Sequence, residues 1–340
     1  MIAVQTSFDS IDPSFPFQDE IREGESGQGY ALRMAHGNGL PNLSRVKHML
    51  GKSHSTVLDA NDAAKLAQWF GGSVQLLEFA LERLTRGRRE EAVQYAGQAM
   101  GRSYFLTRSY PRVCPDCVRE LRYCRIAWDI SLSVACVRHR RVLSDRCPNC
   151  ERALSWNRPG LDACNCGCLL SMGDIAEEPS DVELLLAHTI DQRMEDYTLF
   201  NNGDPRWELR GEGSTASLAS LLRHLSLDGV MRIVYALATA AMYNPQVKPQ
   251  KRERESLGKV RQTIALASAF GARVSRLQAA DLRSHRPTVL INLLGDISLS
   301  SHAPADDLSL ARSILGWLLI NAPNSTSASR HPSLAQLQLF

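Results

Sequence analysis

The sequence predicts a mainly α protein with two small cysteine-rich modules, an N-terminal helix-turn-helix-like domain and a C-terminal helical domain. Three observations carry this. Eight of the nine cysteines lie between Cys114 and Cys166, with Cys168 close behind. Upstream, Leu66, Ala67, Phe70, Gly71, Leu77 and Ala80 follow the spacing of two helices joined by a tight turn. Downstream, apolar residues recur at helical intervals from Val182 to Ile320. The expected division is 1–110 for the N-terminal helical domain, 111–175 for the tandem cysteine module, 176–320 for the C-terminal helices and 321–340 for a polar tail.

In the N-terminal part, Gly37 and Gly39 should end a helix whose apolar face includes Tyr30, Met34 and Leu40, with Arg33 a candidate buried partner for Glu25. Leu66 to Phe70 then reads as the first helix of a pair. Gly71 takes the left-handed turn and Val74, Leu77, Leu81 and Leu84 line the second helix. Gly72 stands where an apolar residue is expected. Gln75, Glu78 and Glu82 beside Arg83 would face phosphate poorly, so an ordinary αα-hairpin stands as the other reading.

The cysteines are explained first by what they are not. The N-terminus shows no basic segment followed by an apolar core. No run of 18 apolar residues occurs, and the best candidate, Val230 to Met242, is short and contains Arg232. The expectation is a cytoplasmic, reducing compartment without membrane association, where clustered cysteines are metal ligands more often than disulfides.

Pairs two residues apart let one turn present both sulfurs to one ion. Cys114-Pro-Asp-Cys117 and Cys136-x-x-His139 give C-x2-C-x18-C-x2-H, and Cys147-Pro-Asn-Cys150 with Cys164 and Cys166 gives C-x2-C-x13-C-x-C. The first is a set of three cysteines and one histidine and the second a set of four cysteines, and soft thiolates select zinc over magnesium or calcium. Two structural Zn2+ per chain are expected, with an iron–sulfur cluster as the rival. Any two of Cys164, Cys166 and Cys168 can serve; the first two are favoured because Gly167 fits the turn after the second ligand. Cys124, beside Tyr123, Ile126 and Trp128, reads as a packed apolar residue.

Closed ligand sets leave no place for a reactive water, and the chain carries no H-x-E, H-E-x-x-H, P-loop or G-x-S-x-G motif. It reads as non-enzymatic. Net charge is only +3, but Arg83 to Arg125 holds ten arginines against four acids, a local +6. Such a stretch steers toward phosphate or an acidic partner, or is a solvated surface. Arg119, Arg122, Arg138, Arg140 and Arg141 lie beside the ligand turns and are the candidate partner or nucleic-acid contacts.

In the C-terminal part, Ser180-x-x-Glu183 is a capping box opening Val182 to Met194. Leu218 to Tyr243 follows with a break near Asp228-Gly229 and a stop at Asn244-Pro245. A basic linker, Lys248 to Arg254, leads to Leu257 to Phe270, closed by Gly271. Thr288 to Leu294 and Leu308 to Ile320 complete the set.

The order Pro111, Cys114-Pro-x-Cys117, Trp128, Cys136-x-x-His139, Leu143, Cys147-Pro-x-Cys150 and Leu161-x-x-Cys164-x-Cys166-Gly167 resembles the TniQ/TnsD family of transposition target-selection proteins. Upstream, Gly24-Glu25-Ser26, Arg33-Met34-Ala35 and Asn38-Gly39-Leu40 are similar to that family's N-terminal segment, except that Gly27-Gln28-Gly29 stands where bulkier residues usually begin the helix. The resemblance covers roughly residues 15 to 175. It implies a non-catalytic adaptor that finds a target by binding DNA directly or by docking on a CRISPR RNA-guided effector complex. Such an adaptor recruits an AAA+ ATPase that brings in the transposase, in some members as a homodimer. The C-terminal half would serve dimerisation and docking, or extend DNA reading. A zinc-stabilised helix-turn-helix regulator is the second reading and a metalloenzyme such as a nuclease the third.

Overall fold

The computed structural model describes residues 14–86, 91–108, 110–172, 177–195, 214–242, 259–278 and 287–321. Helix α1 (Gly27–Gly37) begins at Ser26, whose hydroxyl accepts the Gly29 N–H at 3.4 Å, and is buried along most of its length. Its glycine start has a steric reason. A Cβ on Gly27 would stand 2.6 Å from the Ala80 carbonyl oxygen, and one on Gly29 would meet the Cys124 Cβ at 3.0 Å.

Helices α2 (Leu43–Met49), α3 (Ala63–Phe70) and α4 (Val74–Ala80) pack around α1. The α3–α4 turn uses two left-handed glycines, Gly71 (φ 86°) and Gly72 (φ 91°). Gly72 stands in place of the expected apolar residue because its φ of 91° is a left-handed backbone that L side chains rarely adopt; the chain before α1 passes close by, with Glu20 Cα and the Tyr30 hydroxyl 3.6 Å from where a Cβ would be. The Tyr30 hydroxyl donates to Gly71 O at 2.7 Å.

The second helix of this pair is shorter than the sequence pattern suggests. It ends at Ala80, and Leu84, expected on its apolar face, lies exposed in a strand. Strands β1 (Arg83–Arg86), β2 (Glu91–Tyr95) and β3 (Gln98–Met100) form an antiparallel meander with Leu84 opposite Val93 and Val93 opposite Met100. This sheet interrupts the segment expected to be helical. Glu82 is not on a recognition helix at all, but buried and paired with Arg108 at 2.8 Å.

The cysteine region follows as helix α5 (Pro115–Leu121), a short 3-10 turn over Ile126–Asp129 and the β4 (Ala135–Cys136), β5 (Arg141–Val142) hairpin. The C-terminal helices are α6 (Asp181–Glu195), α7 (Ser214–Leu222), α8 (Leu227–Met242), α9 (Val260–Gln278), α10 (Pro287–Ser298) and α11 (Ala305–Asn321). Ser180 and Glu183 form the expected reciprocal cap, with Ser180 N to Glu183 Oε2 at 2.9 Å and Glu183 N to Ser180 Oγ at 3.4 Å.

Two boundaries move. The break between α7 and α8 falls before Leu227, where Ser226 caps α8 by accepting the Gly229 N–H at 2.9 Å. Gly271 does not close a helix but lies inside α9, where a Cβ would stand 3.1 Å from a Val182 methyl: the lack of a side chain lets α9 approach α6. The linker expected at Lys248 to Arg254 and the polar tail lie outside the described residues.

One apolar cluster runs from Ile21 to Leu318, so N-terminal, cysteine-rich and C-terminal parts share a core. Polar contacts reinforce it. Gly101 N donates to Asp228 Oδ1 at 2.8 Å, Arg125 pairs with Asp191 at 2.9 Å and Arg112 donates to Thr263 Oγ1 at 3.2 Å. No helix among the described residues is long and apolar enough to cross a membrane.

Candidate metal centres

The first site forms where α5 meets the β4–β5 hairpin. Cys114 precedes the helix and Pro115 takes its first position, where a fixed φ suits and the missing N–H costs nothing. Cys117 returns to the same side one turn later. Cys136 ends β4, and the turn to β5 carries His139. His139 Nδ1 stands 3.4 Å from Cys114 Sγ, 3.2 Å from Cys117 Sγ and 3.7 Å from Cys136 Sγ, and Cys117 and Cys136 Sγ are 3.5 Å apart.

The second site joins two turns. Cys147 and Cys166 Sγ face each other at 3.6 Å, and Cys150 and Cys164 Sγ at 3.8 Å. Gly167 takes φ 84° and donates to Cys164 O at 2.9 Å, which closes the turn anticipated from the sequence. In each set the four donor atoms all lie within 4.8 Å of one another. Ligands about 2.3 Å from a tetrahedral zinc are separated by about 3.8 Å, so the size and chemistry of both sets fit one ion each.

Hydrogen bonds to Cys114 and then Cys136 push the Cys117 thiol far up, while those from Cys114 and Cys117 pull Cys136 down to about 2. The two sites differ in shelter: Cys114, Cys117 and Cys136 are buried, whereas Cys150 is half-buried and Cys166 exposed. Cys168 lies outside the four-atom set and donates to Leu169 O at 3.3 Å. Cys124 is buried beside Arg158, whose Nη2 approaches its sulfur at 3.9 Å, and burial pushes its thiol up to about 12.

The five arginines singled out beside the ligand turns divide. Arg119 and Arg138 are more than half and half exposed, at 59% and 50%, and pair with Asp116 at 2.9 Å and Glu120 at 3.1 Å. Arg122 and Arg140 are exposed and sit at left-handed positions, φ 57° and 47°, where a side chain costs about 1 kcal/mol relative to glycine. Arg141 is buried at 8% exposure and bound to Asp116 at 2.8 Å, where it braces the hairpin against α5. The same ion pair holds the Asp116 carboxyl below the usual range.

Within the arginine-rich stretch, Arg112 is buried and donates to the Ser131 and Ser133 carbonyl oxygens, while Arg102, Arg108 and Arg125 are half-buried. Sequence reasoning missed Glu120, whose Oε1 lies 3.1 Å from His139 Nε2. The only signal available was an acid three residues after Cys117.

The fold is mainly helical, with two closed Cys/His sets that could each hold one metal ion. Residues 16–143 match the TniQ family model. A TniQ domain indicates a target-selection adaptor role in transposition. No curated protein matches the chain.

Proposed function

We propose that this chain is a non-catalytic adaptor, held together by two structural Zn2+, that links a target-recognition complex to an AAA+ ATPase and the transposase. The observation that carries it is the closure of both donor sets: four protein ligands converge in each, which is the signature of a structural rather than a catalytic site. Cys114, Cys117, Cys136 and His139 would hold one ion and Cys147, Cys150, Cys164 and Cys166 the other. When bound, each ion supplies folding free energy by cross-linking segments that have little secondary structure of their own.

The target is reached through a partner, in this reading a CRISPR RNA-guided effector, with a homodimer as the working unit. What supports this over direct reading is α4. Its exposed positions are Gln75 and Glu78, and Glu78 is paired with Arg83 at 3.2 Å, so that surface offers little to phosphate. The exposed arginines Arg119, Arg122, Arg138 and Arg140 would add weak, sequence-indifferent contacts. Binding of the purified chain to its attachment-site duplex and to a scrambled duplex, at physiological salt, tests the reading. Weak and equal binding, with co-purification of an effector complex and the ATPase, is expected. A preference of about a thousandfold or more would identify a direct reader instead.

A further inference from the structure

We propose that Glu120 is a positioning residue of the first metal site, holding the imidazole of His139 in the one tautomer that can act as a ligand. The inference rests on the zinc reading. A histidine binds a metal through the lone pair of one nitrogen, so the other must carry the proton. His139 directs Nδ1 at the sulfurs of Cys114, Cys117 and Cys136, which leaves Nε2 to donate. Glu120 Oε1 stands 3.1 Å from Nε2 and accepts that hydrogen.

The carboxylate is itself held. Its other oxygen, Oε2, binds Arg138 Nη2 at 3.1 Å, and α5 places Glu120 three residues after the ligand Cys117. One short helix therefore delivers both a ligand and the group that orients a second ligand on the facing hairpin. Nothing comparable is needed at the second set, which is all sulfur. Outer partners of this kind change metal affinity by about 10- to 100-fold. Glu120 is 38% exposed, so water competes for the same N–H and the lower end is expected.

The test is zinc competition against a chromophoric chelator with the full chain, comparing wild type, Glu120→Ala, Glu120→Gln and Arg138→Ala. Glu120→Ala should weaken one of two bound ions about tenfold and leave the other unchanged. Glu120→Gln should lose less, because its amide oxygen still accepts from Nε2, and Arg138→Ala less than Glu120→Ala. Long-range 1H–15N spectra should show His139 protonated at Nε2 in wild type. Unchanged affinity in Glu120→Ala, equal weakening of both ions, or Glu120→Gln as weak as Glu120→Ala would overturn the inference alone. A wild-type chain with no zinc would instead remove the reading on which it rests.

Discussion

Glu25 and Arg33 form a bidentate ion pair inside the N-terminal unit, with Arg33 Nε to Glu25 Oε1 and Arg33 Nη2 to Glu25 Oε2 both at 2.8 Å. The Glu25 side chain is fully buried and Arg33 is 9% exposed. Arg33 also reaches Asp19 Oδ2 at 2.5 Å and Glu20 O at 2.8 Å, so one guanidinium ties the chain before α1 to the middle of that helix.

The two partners should not be equivalent. Arg33→Ala leaves the Glu25 carboxylate buried without a cation, which typically costs about 3–5 kcal/mol. Glu25→Ala leaves Arg33 its contact with half-exposed Asp19 and should cost less. Urea denaturation of both variants checks the order; a larger loss in Glu25→Ala would contradict it.

Ser26 continues the same motif. Its hydroxyl donates to Asp129 Oδ2 at 2.6 Å, and the Tyr95 hydroxyl donates to the same oxygen at 2.5 Å. Burial pushes the Asp129 carboxyl up to about 6. A raised acid favours the folded state while protonated, so its contribution is full below about pH 4 and lost as pH rises through about 6. Asp129→Asn, whose amide oxygen still accepts both hydroxyls, should remove that part of the pH dependence. The difference in unfolding free energy between wild type and variant, followed from pH 4 to 7, should therefore vary; a constant difference would refute the assignment.

The glycines at close contacts should tolerate no side chain. Gly229→Ala would drive a Cβ to 2.2 Å from Asp307 Oδ1, whose carboxylate accepts the Ser226 N–H at 2.9 Å. Gly27→Ala meets backbone. Each should lose about 1–3 kcal/mol by overpacking despite alanine's better helix propensity, whereas Gly271→Ala, 3.1 Å from a single methyl, should be nearer neutral. Melting temperatures measured side by side decide the ranking.

How much of this was legible beforehand follows from what each feature depends on. The Cys/His groupings were readable because the spacing within each pair is local: Cys114, Cys117, Cys136 and His139 meet as the intervals require. The α6 cap was readable because its two residues are local. The β1–β3 meander was not, since Arg83 to Arg86 offers a single apolar residue, Leu84, and finds its place only by pairing with Gln94 to Glu91. The partners of Arg125 and Arg141 were illegible for the same reason, since Asp191 and Asp116 meet them only through tertiary packing. Gly271 read as a stop because its actual role is set by Val182, far away in sequence.

Exposed and buried arginines should now separate by experiment. Replacing Arg119, Arg122 and Arg140 together by Ala should leave metal content intact and flatten the salt dependence of nonspecific duplex binding, by about 0.9 in log–log slope for each phosphate no longer neutralised. Arg141→Ala should lower stability without that change in slope. An unchanged slope in the triple variant would make those arginines a solvated surface.

Metal content tests the account most directly. Protein purified without added metal should carry about two zinc per chain, falling to about one or to insoluble protein in Cys114→Ser or Cys147→Ser and remaining at two in Cys124→Ser. One zinc in the wild type, iron with visible absorbance, or loss of metal from Cys124→Ser would contradict the paired closed sites on which the adaptor reading stands.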